Sequence, residues 1–372
     1  MRVRRLDTER PDDVRAWVRF PFELYAHCAQ WVPPFIADEK RLLDRSKHPF
    51  YQHSEADFFL AEDAGRTVGR IAVMENRHHN QHYGTREAFF GLFETIDDAQ
   101  VSGALFETAF DWARQRGLDR MLGPRGLLPT DNCGILVKGF EHRPAMGVSY
   151  NLPHYGGLIE AAGFAKRDDS LSGYLGRAQG LPQRLLELAD RVKERRGFWI
   201  KTFRDQRELR AWAPRAAGTF LQAFGQNDLF YPPTPAEMEI MVGSILAIAA
   251  PRYMKLVMKG DEIVGFVFTY PDVSAGLQRA RGRLWPLGWY HILRERGRTL
   301  WANGNGIGVL PEYQGLGASV LLYAEAVRTL WDSPFQHVDV VQVGEHNLKS
   351  RSMAEELGVN WYKAHRSYLR AL

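Results

Sequence analysis

The chain has 372 residues, 45% of them hydrophobic and 25% charged, with a formal net charge of +4. These values fit an ordinary globular protein of about two domains that buries its core without disulfide staples. The two cysteines, Cys28 and Cys133, stand far apart and outside any CxxC pattern, which excludes a disulfide framework and a cysteine zinc site and fits a reducing cytoplasm.

The first residues, MRVRRLDTERPDD, carry no apolar run after their positive charges, so no secretory signal is expected. Asp57–Met74 reads as an antiparallel hairpin, two apolar runs around an acidic-glycine turn followed by Val68-Gly69. In the run His78-His79-Asn80-Gln81-His82, read as a strand, adjacent histidines point to opposite faces. No acidic or cysteine partner stands at ligand spacing, so no metal site is expected. The segment Gly123-Pro-Arg125 and Thr130-Asp131-Asn132 reads as a polar loop facing a cleft. Asn151 leads into a stretch that ends at Gly163-Phe164.

Leu175–Pro182 holds glycines and a proline and reads as a hinge, with a boundary near residue 178. A helix is expected over Gln183–Arg196. Its RVKERR end is either a solvated face or a contact for an anionic ligand such as the phosphates of a cofactor. Met241–Ala250 is apolar but too short to span a bilayer. Tyr253–Thr269 repeats the hairpin pattern, with Val264-Gly265 in the place of Val68-Gly69. An extra segment, about 271–300, contains Leu284-Trp-Pro-Leu-Gly-Trp-Tyr290. It reads either as a local core cap or as a lid or wall for an apolar acceptor or a long acyl chain.

Ile307–Leu310 reads as a short buried strand that Pro311 must end. Val320, Ala324, Val327 and Trp331 form one apolar helical stripe after it. Between them lies Gln314-Gly-Leu-Gly-Ala-Ser319. Its glycines allow a tight bend close to a ligand, and the free amides at the start of the helix suit a pyrophosphate. The loop lacks the Gly-Lys-Ser/Thr of a Walker loop and the GxGxxG of a dinucleotide fold. Val338–Val343 reads as a strand leading to Asn347, and a helix follows to Gly358-Val359.

Val68 and Val264, and Asn151 and Asn347, are each 196 residues apart, and Gly163 and Gly358 are 195 apart. Three landmarks at nearly one offset indicate two copies of one fold. Each half reads as helix, hairpin, further strands, helix, strand, helix and last strand, an α+β or mixed α/β layer fold. The expected domains are 1–178 and 179–372.

The stretch Val309-Leu-Pro-Glu-Tyr-Gln-Gly-Leu-Gly-Ala-Ser-Val-Leu-Leu322 resembles the acyl-CoA loop of the GNAT superfamily of N-acyltransferases, Gln/Arg-x-x-Gly-x-Gly/Ala. Gln314 and Gly317 match, and Ser319 stands where Gly or Ala is usual. The strand, Asn347 and the helix to Gly358 match the superfamily's next motif, with Val359 in place of phenylalanine. The whole chain is similar to bacterial tandem GNAT-like proteins, whose first half carries segments like Gly134–Phe140 and Tyr150-Asn151.

The resemblance implies a twisted mixed sheet flanked by helices in each half, and acetyl-CoA or another acyl-CoA as cosubstrate. The pyrophosphate would lie on the amides of Gln314, Gly315, Leu316, Gly317, Ala318 and Ser319. The pantetheine arm would lie along Ile307, Gly308 and Val309, and Asn347 would close the site. A small-molecule amine or a peptide would be the acceptor. The tyrosine expected seven residues after Asn347 is replaced by Ala354, so Tyr362 or Tyr368 is the substitute acid, and Glu345 or His346 at the strand end is the candidate base. In the first half the counterpart of the loop is Glu94–Leu105. There Asp97 and Asp98 would repel a pyrophosphate, so that half is expected to bind no CoA and to help form the acceptor pocket. Two alternatives are a CoA-binding protein without catalysis and an aminoacyl-tRNA-dependent transferase of the peptidoglycan-bridge type, which needs no CoA loop.

Overall fold

The computed structural model describes residues 1–225 and 230–372, with the backbone alone at Gln179 and Asn305. The first half runs β1 (Arg2–Arg5), α1 (Pro11–Leu24), α2 (Ile36–Leu43), β2 (Glu55–Asp63), β3 (Arg66–Glu75), α3 (Arg77–Tyr83), β4 (Glu87–Thr95), α4 (Ala99–Arg114), β5 (Arg120–Gly123), β6 (Ile135–Lys138), α5 (Tyr155–Ala161) and β7 (Ala165–Gly176). The second half continues α6 (Gln183–Arg196), β8 (Phe198–Lys201), α7 (Gln206–Phe224), α8 (Pro235–Ile248), β9 (Met254–Lys259), β10 (Glu262–Pro271), α9 (Ser274–Ala280), α10 (Gly288–Arg296), β11 (Trp301–Val309), α11 (Ala318–Trp331), β12 (His337–Gly344), α12 (Leu348–Glu356) and β13 (Asn360–Ala371).

Both hairpins form as the sequence indicates. In the first, Ala64 and Gly65 both take positive φ, the twist-matching turn geometry that joins β2 to β3 directly. The strands make one mixed sheet in the order β1-β2-β3-β4-β5-β13-β7-β12-β11-β10-β9-β8. Each half contributes its last strand to the other. β7 lies beside β12, and β13 lies between β5 and β7.

The crossing strands carry their side chains with them. Tyr368 of β13 is fully buried among Phe90, Phe106 and Tyr155 of the first half, and its hydroxyl donates to Glu160 at 3.2 Å. Opposite it, Leu175 of β7 packs with Val338, Leu330 and Val327 of the second half. The stretch expected to be a hinge is firmly held. Leu175 and Gly176 end β7, and the Arg177 guanidinium donates to the carbonyls of Leu330 and Trp331 at the end of α11, where free carbonyls want a cation.

α6 matches its expected span. In α11, Ala324 and Val327 are buried as the stripe requires, whereas Val320 and Trp331 are half-buried and Leu321, Leu322 and Leu330 complete the packed face. The run His78–His82 corrects the strand reading. It lies in a helix whose Asn76 side chain caps it by accepting from the His79 amide, and Gly84 closes it in the left-handed region. No helix among the described residues is long and apolar enough to cross a membrane.

The exchange is expected to make the two halves unfold as one cooperative unit. Tyr368→Ala in the last strand is expected to destabilise the first half's core by about 3–5 kcal/mol. Urea denaturation should show this as a lowered midpoint of a single transition followed by probes in both halves.

Candidate active site

β11 and β12 run parallel, but their ladder spans only Trp301–Gly304 against His337–Val340. Beyond that point both strands deviate. The pairing of β11 with β10 shifts between Thr269↔Gly304 and Val267↔Ile307, so β11 bulges at residues 305 and 306. β12 shifts against β7 between Val340 and Val343, and Gln342 takes a positive φ. A bulge bends a strand and re-aims the residues beyond it. The two strands therefore diverge, leaving Ile307, Gly308 and Val309 hydrogen-bonded to β10 on one edge, with the β12 ladder ended on the other.

Past β11 the chain makes a single turn at Pro311–Tyr313 and enters the glycine loop. Gln314 ties the loop back by donating from Nε2 to the Val309 carbonyl at 3.3 Å. Gly317 opens α11 at φ 100°, and no side chain caps the helix. The first-turn amides, Ala318 and Ser319 among them, have no intrahelical acceptor and stand at the positive end of the dipole. A Cβ on Gly317 would meet Val192 of α6 at 2.6 Å. Arg191, Lys193, Arg195 and Arg196, next to Val192 in α6, carry the cluster's charge, and Arg191, Arg195 and Arg196 are exposed. α6 thus brings the RVKERR cluster alongside the loop.

The four sequence candidates for proton transfer take different places, and Tyr368 is the one buried in the first half's core. Glu345 is tied down. Its Oε2 accepts from Lys166 at 2.8 Å and its Oε1 from the Asp169 amide at 2.9 Å. The Lys166 ammonium, with the Asp169 amide, holds its carboxyl below the usual range. His346 projects into solvent. Asn347 spends its side-chain oxygen on the Ser350 amide as the cap of α12. Ala354 is buried in the core with Leu330 and Val338.

Tyr362 instead points to residues that the sequence reading missed. Its hydroxyl donates to Asp339 Oδ2 at 2.6 Å, and Lys363 Nζ lies 3.3 Å from the same hydroxyl while donating to the Arg143 carbonyl at 2.5 Å. Asp339 is buried on β12 in register with Asn303 of β11, one residue before the ladder ends. Burial raises its carboxyl to about 6, and the nearby Asp272 pushes the same way. Burial also lowers Lys363 to about 8 and, with Asp339, raises the Tyr362 phenol. Asp339 Oδ1 and both side-chain polar atoms of Asn303 are buried with no hydrogen-bond partner among the described residues. The signal for this site was present in the alternation Val338-Asp339-Val340, a charge on one face of an otherwise apolar strand.

An apolar pocket lies on the same face of the sheet. Phe268 lines it, and Tyr270, two residues further along β10, pairs with Asn303. α7 and α8 form its walls with Trp212, Ala216, Phe220, Met241 and Ile245. All fifteen residues that line it are apolar. Phe268 stacks on Phe266, whose ring fills the space that a side chain at Gly308 would need. The pocket is therefore separated from the expected pantetheine strand by one layer of aromatic rings. Leu284–Tyr290 neither caps the core nor lines this pocket, and Trp285 is 76% exposed.

The first half repeats the frame with its slot filled. β4 bulges at Leu92, which takes a positive φ, and its parallel ladder to β5 ends at Phe89↔Leu122. Arg125 then donates its amide to the Phe90 carbonyl, and its own carbonyl occupies the space beside Gly91. The Arg125 peptide therefore plugs that slot, while Arg125 and Gly126 also line a small pocket with Asn76, His79 and Tyr231. The helix start is closed as well, because Asp98 accepts from the amides of Gln100 and Val101. Asn151, the echo of Asn347, caps no helix and brackets Leu136 of β6.

His78 meets an acidic partner after all, from far along the chain. His53, His78 and Glu237 place their donor atoms within 4.8 Å of one another. Both Glu237 oxygens are engaged, Oε1 with His53 and Oε2 with the Thr234 amide. The group ties α8 to the first half.

Residues 225–359 match the acetyltransferase (GNAT) family. Protein YghO of Escherichia coli (strain K12) is 28% identical over 96% of this chain and 92% of its own. A bacterial ceramide synthase of Caulobacter vibrioides is 26% identical over 97% and 96%. Among solved structures, a tandem GNAT protein from the clavulanic acid biosynthesis pathway aligns over 100% of this chain and 98% of its own at a TM-score of 0.57 and 14% identity. A GCN5-related N-acetyltransferase from Sphaerobacter thermophilus aligns over 100% and 95% at 0.51 and 14% identity. The chain has a tandem GNAT fold, and the stretch of its second half from 225 to 359 is similar to the GNAT acetyltransferase family.

Proposed function

We propose that the protein is an N-acyltransferase that moves an acyl group from acyl-CoA to an amine, working in the second of two domains, 179–372, while 1–178 carries no CoA. The observation that carries this reading is the uncapped start of α11 at Gly317, next to the point where β11 and β12 diverge. The pyrophosphate would rest on the amides of Gly315–Ser319 with the basic end of α6 beside it. The pantetheine would lie along the free edge of Ile307–Val309. That edge leads the thioester towards Asn303 and Asp339.

In the reaction the amine nitrogen attacks the thioester carbonyl, a C–N bond forms and the C–S bond breaks. Two protons leave the nitrogen. Asp339 accepts the first, which turns the ammonium into a nucleophile, and the second ends on the departing CoA thiol. A base with a pKa near 6 is largely ionised at neutral pH yet still binds a proton usefully. Asp339 suits this role better than Glu345, whose carboxylate is already neutralised by Lys166. Tyr362 and Lys363 act as positioning residues that orient the carboxylate, and the Asn303 amide is placed to polarise the carbonyl.

The pocket between α7 and α8 favours an acyl chain longer than acetyl, because its lining is wholly apolar and only the Phe266–Phe268 ring layer lies between it and Gly308. The relative named a bacterial ceramide synthase adds support, because a ceramide joins a fatty acyl group to a long-chain amine.

Ser319→Glu puts a charge at the first turn without straining the backbone, unlike a side chain at Gly317. Calorimetric titration should show acyl-CoA affinity reduced at least about tenfold, since a carboxylate there opposes the pyrophosphate. Unchanged affinity would remove the loop from the site. The wild-type rate, followed by thiol release with a panel of long-chain amines, should rise with pH through about 6 as Asp339 loses its proton. Asp339→Asn should abolish that limb and lower kcat by about 10²-fold or more. Ala216→Phe should fill the pocket, raising KM for long-chain acyl-CoA while sparing acetyl-CoA. An equal effect on both donors would place the acyl chain elsewhere.

A further inference from the structure

Between β10 and β11 the chain inserts α9, α10 and their connections, and this insertion carries an unusual surface. Among the described residues, seven of the fifteen large hydrophobic side chains that stand exposed fall between Leu284 and Leu300. Trp285, Leu287 and Leu293 are 76%, 60% and 57% exposed, with Trp289 and Tyr290 between them. A contiguous apolar surface of this kind marks a contact site.

The charge around it has one sign. Arg281, Arg283, Arg294, Arg296 and Arg298 are all exposed. The acid of the segment, Glu295, is paired with Arg279. Tryptophan, tyrosine and leucine ringed by arginine is the composition of a helix that lies in the headgroup region of a bilayer, with aromatic rings at the interface and cations on lipid phosphates.

The insertion is fixed to the rest of the molecule at both ends, so the surface is preformed. The Gly282 carbonyl accepts from the Ile36 amide, and Gln278 donates to the carbonyls of Ala29 and Trp31 in the first half. At the other end Arg296 donates to the Ala249 carbonyl, just past α8, whose Ile245 and Leu246 line the apolar pocket.

We propose that the 284–298 surface docks the protein on an anionic lipid bilayer. A second copy of the chain is a poorer occupant. A two-fold contact would set the same patch against itself and bring ten arginines together with no acid to neutralise them. An anionic membrane satisfies both the apolar and the cationic side chains. Docking there also presents the end of α8, and so the pocket, to the bilayer. This inference stands on the surface alone and does not require the acyl-transfer reading.

The test is co-sedimentation of the full-length protein with phosphatidylcholine vesicles, with and without phosphatidylglycerol. Two variants accompany it: Trp285→Ser/Leu287→Ser/Leu293→Ser, and Arg283→Glu/Arg294→Glu/Arg298→Glu. All six side chains are exposed, so melting temperature and acyl-CoA affinity should be unchanged. Wild type should bind the anionic vesicles, and each variant should lose that binding by about tenfold or more. The proposal is overturned by wild type that stays in the supernatant or by variants that bind as well as wild type. It is equally overturned by a wild-type dimer in sedimentation velocity that the apolar variant dissociates, which would give the surface to a second copy.

Discussion

β7 and β13 lie side by side at the centre of the sheet, and each is hydrogen-bonded to strands of the opposite half. The rest of the molecule depends on that exchange. Without β7, β12 has no second neighbour and no reason to shift register at Val340–Val343. Without β13, the first half's core lacks Tyr368. The polar site is built across the same seam, because Tyr362 on β13 reaches over β7 to Asp339 on β12, with the Tyr174 ring 5.5 Å from its own. Two halves joined only by a linker would be free to move relative to one another. Here a rearrangement of the halves would have to break a continuous ladder.

The buried carboxylate at this seam has a definite energetic cost. Its pKa stands at about 6 against 3.8 in the absence of burial, so the unfolded chain ionises first. The stability that the protonated carboxyl contributes is fully present below pH of about 4. It is lost as pH rises through about 6, a difference of roughly 3 kcal/mol. Natural cores seldom leave polar atoms unpaired, yet among the described residues Asp339 Oδ1 and the Asn303 amide, on paired positions of β12 and β11, have no partner. A site that binds a polar substrate accounts for both facts, since the cost carried by the free protein is relieved on binding.

Much of the fold was legible because its signals are local. The Pro311 stop, the glycines at 315 and 317, and the α6 and β12 spans each depend on residues within one turn or one strand. The α3 helix was legible too, from the Asn76 cap and the closing Gly84, but the histidines drew attention to metal spacing instead. The exchange of β7 and β13 was not legible. The period-2 pattern of a strand states which face is buried and says nothing of which neighbour it pairs with. Asp339 was missed for a related reason. The superfamily's spacing points to a helical position, Ala354, and the strand end points to Glu345, whereas the carboxylate lies mid-strand and acquires its partners Tyr362 and Lys363 only through β13. The residues at 284–290 were read as a core cap or a lid, because aromatic clusters usually pack inward.

The comparison between the halves shows how little sequence separates a closed frame from an open one. Both have a bulged central strand, a truncated parallel ladder and a helix as the next long element after the strand. In the first half Asp98 supplies its own carboxylate to the leading amides of α4, and the Arg125 peptide fills the slot beside Gly91. In the second half the equivalent cap is Gly317, which supplies nothing, and the amides of α11 are left for an external anion. A capped helix start gains about 1 kcal/mol of stability from its own side chain, and an uncapped one gives that up. The second half gives it up at its glycine loop, and the same half carries a buried carboxylate whose Oδ1 has no partner among the described residues. Both losses fall around the divergence of β11 from β12 inside the sheet, which suits the proposal that they serve a single bound molecule.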